Sequence, residues 1–400
     1  MKRYVFGSAG LTVVLLLIGF IPVRTGTDLQ ETVLPESLRL KPLPELAVSE
    51  SNGMREGVSG AFGGVVGRRV IVAGGCNFPG LPAAEGGEKV YYDRIYVLQD
   101  SGQGEAEWVR AGGLPVKVAY GAAVSLPQGI VCIGGRNEAA PLNCVWLLQW
   151  EEKNRQVAVK ELAALPVEMD NMTAATDGER IYVAGGNAGG IPGHRAFVLK
   201  NTDARQWEAL PDFPGCARLQ PVSVAAGGKF YLIGGFQPAT EREECYLPLD
   251  ILCYDPVDNR WTEGDAAPAA FVGSAAVALN DSVCVIAGGV DAEIFRAAVN
   301  NPLWQRQARL EGDHERLARL QREQKEYMKH APGWYRFNRR LIAGRVVENR
   351  WTCIGEFDEL ARAGAVLVND RNRLIVVNGE SKPGIRSAGV YGIEFGEEKQ

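Results

Sequence analysis

Histidine is scarce, with only His194, His314 and His330 in 400 residues. None occupies a repeated strand position, so a copper centre of the kind built from imidazoles has no ligands here. The eight cysteines include no CxxC pair, which leaves zinc and dithiol redox motifs unsupported. Positive charge is not in excess. The net charge is -5 and no basic run occurs, so nothing points to a nucleic-acid partner. Neither GxSxG nor GxxxxGKS/T appears in the body of the chain, and serine-hydrolase and P-loop chemistry lose their signatures. The apolar run from Leu11 to Ile21 falls short of the roughly 20 residues of a spanning helix.

That run has a different use. Lys2 and Arg3 precede it and polar "RTGTDLQET" follows, the order of an export signal. Residues 1–26 therefore read as a signal peptide or an N-terminal anchor, and the protein as periplasmic or secreted, free of the membrane once the signal is removed. Residues 27–400 form the folded part. Hydrophobic residues make up 46% and charged residues 23%, the balance of a globular chain. Cys132, Cys253 and Cys284 lie in apolar strand patterns and read as small buried hydrophobes. The other five cysteines leave disulfide pairing open.

Glycine is plentiful, at 48 residues, and much of it is periodic. "VIVAGG", "IVCIGG", "IYVAGG", "FYLIGG" and "VCVIAGG" end at Gly75, Gly135, Gly186, Gly235 and Gly289. A small-residue strand precedes each. A third strand follows, often with a tryptophan strand after it (Trp108, Trp207, Trp261, Trp351). Four short strands at a period near 50 predict an all-β, six-bladed kelch-type β-propeller. The sixth unit, after Arg362, has three strands before the chain runs out. "LRLKPLPEL", Leu38 to Leu46, is the expected fourth strand, closing the sixth blade from the N-terminal side. Residues 291–335 form an insertion in the fifth blade, with Leu310, Leu317, Leu320 and Tyr327 at helical spacing and Pro332-Gly333 as its stop. It is either a solvated surface helix or a lid.

In such blades the loop after the second strand opens on the same face as the lead-in to the first. Candidate binding residues at that mouth are Asn77, Tyr120, Arg136, Asn187, Arg218 and Gln237. Arginine grips carboxylates bidentately, so the set suits a polar, acidic small molecule. The sixth unit breaks the repeat. Asn378-Gly379 replaces the glycine pair, Glu380 follows, and Arg386 comes six residues later. A carboxylate and a guanidinium at the mouth break the repeat together, either as a surface ion pair or as groups placed for a polar ligand.

The stretch "NGESKPGIR" resembles the NGE-x-KPG-x-R signature of the bacterial N-acetylneuraminate epimerases, the sialic acid mutarotases. The insertion introduced by "AGGVDAEIF" is similar too, as are "AGGCNFPGLPAAEGGEKVYYDRIYVL" and "AYGAAVSLPQGIVCIGG". In that family the last two stretches follow the NGE blade. Here they precede the other blades, so the chain resembles a cyclically permuted branch, with the resemblance spanning residues 40 to 396. The resemblance implies an exported six-bladed kelch propeller that interconverts the α and β anomers of sialic acid without cofactor or metal. Glu380 matches its catalytic glutamate, Arg386 its essential arginine, and Arg218 an arginine at a strand lead-in. Mutarotation takes a proton from the anomeric hydroxyl and gives one to the ring oxygen. The ring opens, a bond at the carbonyl carbon rotates, and the ring closes on the other face. Glu380 is the expected base and Arg386 the carboxylate or oxyanion partner. The partner acid is not identified, and the sequence leaves open monomer or homodimer. Sialidases share a propeller fold, but their Ser-x-Asp-x-Gly-x-x-Trp boxes are absent. The alternative is a kelch propeller that binds a glycan or protein without turnover.

Overall fold

Every glycine-pair strand lies second in a four-stranded antiparallel sheet. The structure, a computed structural model, describes residues 37–51, 54–100, 106–371 and 373–396; the expected signal at 1–26 lies outside them. The first sheet runs Phe62–Val66, Arg69–Ala73, Arg94–Asp100, Ala106–Gly113, and the second Ala122–Leu126, Gly129–Ile133, Val145–Glu151, Gln156–Glu161. The third contains Thr173–Thr176, Ile181–Ala184, Ala196–Leu199 and Glu208–Ala209. The fourth contains Val222–Ala226, Lys229–Ile233, Asp250–Asp255 and Arg260–Ala266. Ser274–Ala278, Cys284–Gly288, Arg340–Arg345 and Arg350–Glu356 make the fifth. The sixth is Val366–Asp370, Arg373–Val377 and Val390–Phe395, with Leu38–Leu43 as its outer strand. Each first strand touches the first strands of two neighbouring sheets, and the series closes on itself. The architecture is that of a β-propeller.

The first strands approach one another closely around the axis, which is why their residues are small. A Cβ on Gly63 would sit 2.2 Å from Val366 of the neighbouring sheet. Outward from the axis, the sheets bury apolar faces against each other. Val131, Ile133 and Leu147 of the second sheet meet Ile181, Val183 and Leu199 of the third. Each such side chain contributes about 1.5–3 kcal/mol. Val70 and Val72 meet Val366 and Ile375 in the same way, joining the first sheet to the sixth.

The glycine pairs do more than turn the chain. The second residue of each pair donates its N–H to a carbonyl at the lead-in of the next sheet. The bonds are Gly75 to Val118, Gly135 to Met169, Gly186 to Arg218, Gly235 to Ala270, Gly289 to Arg362 and Gly379 to Val58, all 2.7–2.9 Å. This cycle needs left-handed backbone and close approach. At Gly234, φ is 62° and a Cβ would fall 1.9 Å from the Ala270 carbonyl. At the outer rim, the indoles of Trp108, Trp207 and Trp261 donate to the carbonyls of Pro44, Ala163 and Pro211 of the preceding sheet's exit loop.

Leu38–Leu43 pairs antiparallel with Val390–Phe395, Leu38 opposite Phe395 and Leu43 opposite Val390. It stops short of Leu46 because Pro44 brings no N–H. Pro42 is tolerated because this strand is the sheet's edge.

Between the second and third strands of the fifth sheet lie two helices, α1 (Ala292–Glu311) and α2 (His314–Glu326), with 3₁₀ turns at Tyr327–Lys329 and Pro332–Tyr335. The helical spacing runs through a break that the sequence reading missed. Gly312 adopts φ 70° and caps α1, and Asp313 caps α2. Leu310 is accordingly 81% exposed, while Leu320 is buried. The helices join through buried amides, with Asn301 Nδ2 on the Leu320 carbonyl and Gln305 Nε2 on Gln324 Oε1. The helix α1 docks on the fourth sheet's loop. There Asn300 accepts from the Cys245 amide and Trp304 donates to Glu244. Among the described residues no helix is long and apolar enough to cross a membrane. All eight cysteines are free thiols.

Candidate active site

Six residues at the first-strand lead-ins share left-handed backbone: Gly60, Tyr120, Asn171, Gln220, Gly273 and Gly364, with φ from 50° to 65°. Their amides link around the axis: Tyr120 donates to Gly60, Asn171 to Tyr120, Gln220 to Asn171, Gly364 to Gly273 and Gly60 to Gly364. This inner ring is lopsided. Three consecutive positions carry side chains and the other three are glycine. A cavity of about 740 Å³ lies over the ring, within the range of small-molecule sites.

Glu380 and Arg386 rise over the glycine half. Glu380 exchanges backbone hydrogen bonds with Ala363, next to Gly364. Arg386 Nε donates to Ser59 Oγ, next to Gly60, at 3.0 Å. The two residues sit opposite each other in a short hairpin, Glu380–Lys382 with Ile385–Arg386. Pro383 and Gly384 turn it, and the Gly384 amide donates to Glu380 Oε1 at 2.8 Å. Asn378 explains how the repeat could be broken here. It holds φ 56° and donates to the carbonyls of Leu46 and Ser387. Gly57 clears the space, since a Cβ there would lie 2.5 Å from the Asn378 amide nitrogen.

Arg386 is buried, at 4% side-chain exposure, with Nη1 2.7 Å from Glu380 Oε1. Its guanidinium stands 4.9 Å from the centre of the Phe78 ring. Burial works against its charge, but Glu380 and Tyr120 outweigh that effect and its pKa lies above the ordinary arginine value. The pair attracts by charge. Nη1 thus has Glu380 as an ion-pair partner, though not at hydrogen-bonding angles, and it lies in the cavity wall.

Tyr120 and Arg136 line the same cavity. The buried Asp170 lies 3.9 Å from Arg136 and accepts from Asn171 and Asn187. Asn187 is therefore a support behind Arg136, outside the cavity wall. The other three candidates lie elsewhere. Asn77 is fully buried and its amide is occupied by Ser49, Gly57 and Tyr92. Arg218 is a strut in the fourth sheet, fully buried, bonded to the Asp250 carboxylate and to the carbonyls of Gly234 and Asp250. Gln237 pairs its backbone with Tyr246 in the fourth sheet's loop. Sequence reasoning missed Ser59, Lys89, Gln220 and Met328 as cavity residues. Gln220 carried a signal, since it stands at the same lead-in position as Tyr120. Lys89 comes from a loop within the first unit that no other unit repeats, so its only signal was the family resemblance of the stretch that contains it.

A larger cleft, about 1340 Å³, lies beside α1, but its Arg336 and Arg339 are ion-paired with Asp291, Glu293, Glu356 and Asp358. It contains neither Glu380 nor Arg386.

A family model described as N-acetylneuraminate epimerase matches residues 19–157 and 162–400. The chain belongs to that family. Among its relatives, the N-acetylneuraminate epimerase of Haemophilus influenzae (strain PittEE) is 32% identical over 233 residues, 58% of each chain. The protein of the same name from Yersinia enterocolitica is 31% identical over 237 residues, 57% of this chain and 56% of that one. The solved structure of YjhT superposes with a TM-score of 0.51 at 27% identity, over 59% of this chain and 64% of that one. The chain thus matches a little over half the length of these relatives.

Proposed function

We propose that this protein is a mutarotase that interconverts the α and β anomers of N-acetylneuraminate. One observation carries the reading: a half-buried carboxylate, Glu380, ion-paired with a buried guanidinium, Arg386, in the wall of one cavity. Arg386 would hold the sugar's carboxylate or the oxyanion that develops as the ring opens. Glu380 would take the proton of the anomeric hydroxyl and return it after rotation in the open chain. Arg136 and Tyr120 would complete the binding surface. The family name and the relatives' names support the substrate class.

The scaffold is read as a six-bladed kelch propeller of permuted blade order. Pairwise matches stop after one stretch of about 58% of the chain, while the family model matches two blocks spanning nearly all of it. A permuted order produces that pattern, and chain ends that share one sheet allow it. The helical insertion is read as a lid, since Met328 lines the cavity and Lys382 donates to the carbonyls of Met328 and His330. The N-terminal segment is read as an export signal, placing the enzyme in the periplasm or outside the cell.

The test is anomer exchange followed by NMR on N-acetylneuraminate. Wild type is expected to accelerate exchange, and Glu380→Ala to lose about 10²–10⁴ of that acceleration. A wild type that binds the sugar without adding to the spontaneous rate would turn the reading into that of a binding module.

A further inference from the structure

We infer that Tyr120 is the acid of this site, delivering the proton that the sugar's ring oxygen takes as the ring opens. The inference rests on the mutarotase reading and fills the role it leaves vacant. Five ionisable donors line the cavity: Arg136, Arg386, Lys89, Tyr91 and Tyr120. Guanidiniums do not release protons in proteins. Glu380 acts on the Tyr120 phenol and is not among the charges that act on Tyr91, so the choice lies between Lys89 and Tyr120.

Hydrogen bonding favours Tyr120. Tyr120 Oη receives the Lys89 ammonium at 3.2 Å and lies 3.1 Å from the Cys76 thiol. An ammonium can only donate. The Cys76 thiol has a second acceptor, the Ser59 carbonyl at 3.8 Å. A phenol oxygen accepts twice and donates once. With Lys89 and Arg386 both bearing on the oxygen, the phenol proton is left to the Cys76 sulfur or to the cavity. Lys89 has a donor already committed to Tyr120, and its charge stands 5.2 Å from the Tyr120 ring centre.

The backbone aims this group deliberately. Tyr120 holds φ 61°, an uncommon conformation for a bulky residue, fixed by its amide on the Gly60 carbonyl. Gly60 leaves the ring its space, since a Cβ there would lie 2.7 Å from Tyr120 Cδ1. The groups facing the phenol are Cys76, Lys89, Arg386, Glu380 and, edge-on, Tyr91. Burial and then Cys76 raise the phenol's pKa, which keeps it protonated through the neutral range, while Arg386 favours the phenolate formed in the step.

The step balances. Glu380 takes the proton of the anomeric hydroxyl, and that O–H pair becomes the second bond of the carbonyl. The bond from the anomeric carbon to the ring oxygen breaks with its pair on oxygen, which takes the Tyr120 proton. The phenolate rests between Lys89 and Arg386. After rotation, the hydroxyl attacks the other carbonyl face and returns its proton to Tyr120. The new anomeric oxygen takes its proton from Glu380.

The experiment compares wild type, Glu380→Ala, Lys89→Met and Tyr120→Phe by NMR exchange. Tyr120→Phe is expected to lose about 10²–10⁴ in kcat with KM within a few-fold, and to recover in proportion to added imidazolium, a small buffer acid. Wild type and Glu380→Ala should not respond to imidazolium. Replacing Tyr120 alone with 3-fluorotyrosine, whose phenol is more acidic, tests a folded protein directly: kcat at neutral pH should change while KM stays within a few-fold. Wild-type kcat in Tyr120→Phe, a loss that imidazolium cannot restore, or a 3-fluorotyrosine kcat equal to wild type would overturn the assignment. Loss in Lys89→Met with full activity in Tyr120→Phe would give the role to Lys89. A wild type that adds nothing to the spontaneous rate would sink the mutarotase reading itself, and this inference with it.

Discussion

Arg218, Arg362 and Arg386 are all buried, but their surroundings differ. Arg218 is bonded to Asp250 and two carbonyls, and Arg362 to the carbonyls of Glu359, Asn378 and Gly389. Arg386 is bonded to Ser59 and paired with Glu380, and it lines the cavity over the axis, which Arg218 and Arg362 do not. The first two are read as struts and the third as a cavity group. Arg218→Leu is therefore expected to lower stability by about 3–5 kcal/mol, because it leaves Asp250 and two carbonyls without their donor. KM should stay near wild type. Denaturant unfolding alongside exchange kinetics checks both halves, and a raised KM with unchanged stability would move Arg218 into the site. Arg386→Leu should show the reverse, with sugar binding weakened far more than folding.

The hairpin from Glu380 to Arg386 and the insertion are joined by hydrogen bonds. Lys382 bonds the tip of the insertion to the hairpin, and His330 stacks on Trp334 at 3.9 Å within that tip. Lys382→Met should loosen residues 327–335 and raise KM several-fold, with faster amide exchange in that segment seen by mass spectrometry. Unchanged protection there would argue against a latch. Much of this was legible in the sequence, because a strand ending in Gly-Gly repeats and Glu380 with Arg386 stands out against the repeat. The closing strand was legible as well, from its likeness to other outer strands. What stayed hidden depends on where a side chain turns after its strand ends. Arg218 bends under its sheet, while Arg136 at a similar mouth position reaches the cavity. Nor does composition reveal that Tyr120, Asn171 and Gln220 share a left-handed conformation with three glycines. Gly312 inside an otherwise helical pattern split one expected helix into two.

At the scale of the whole molecule, burial decides the response to alkali. It raises Tyr182 and Tyr327 to about 12 and pushes Tyr120 and Tyr254 up as well. An unfolded phenol titrates near 10. A raised folded pKa means stability fully present below about pH 10 and lost as pH climbs through the folded values. The melting temperature should fall steeply between roughly pH 10 and 12. Phenolate absorbance should appear in two stages, exposed tyrosines first and buried ones with unfolding. A single stage at the ordinary phenol value would contradict this burial. Ring closure offers a second check. Deleting residues through Leu43 removes the partner of Val390–Phe395 and exposes a strand edge, so self-association is expected in sedimentation. A monodisperse truncated protein would show that the ring holds without its outer strand.

The pairing of Leu38–Leu43 with Val390–Phe395 also sets a timetable for biosynthesis. Lys41 and its partner Glu394 are 353 residues apart in the chain. At about 5–20 residues per second, the ribosome delivers the second roughly 20 to 70 s after the first. Through that interval the earliest segment has no mate, and the last sheet cannot be completed by any vectorial, sheet-by-sheet assembly. The nascent chain must be kept from pairing this segment with other molecules. Closing the circle therefore waits for the strands of the last sheet, and is the step at which a holding chaperone would matter most.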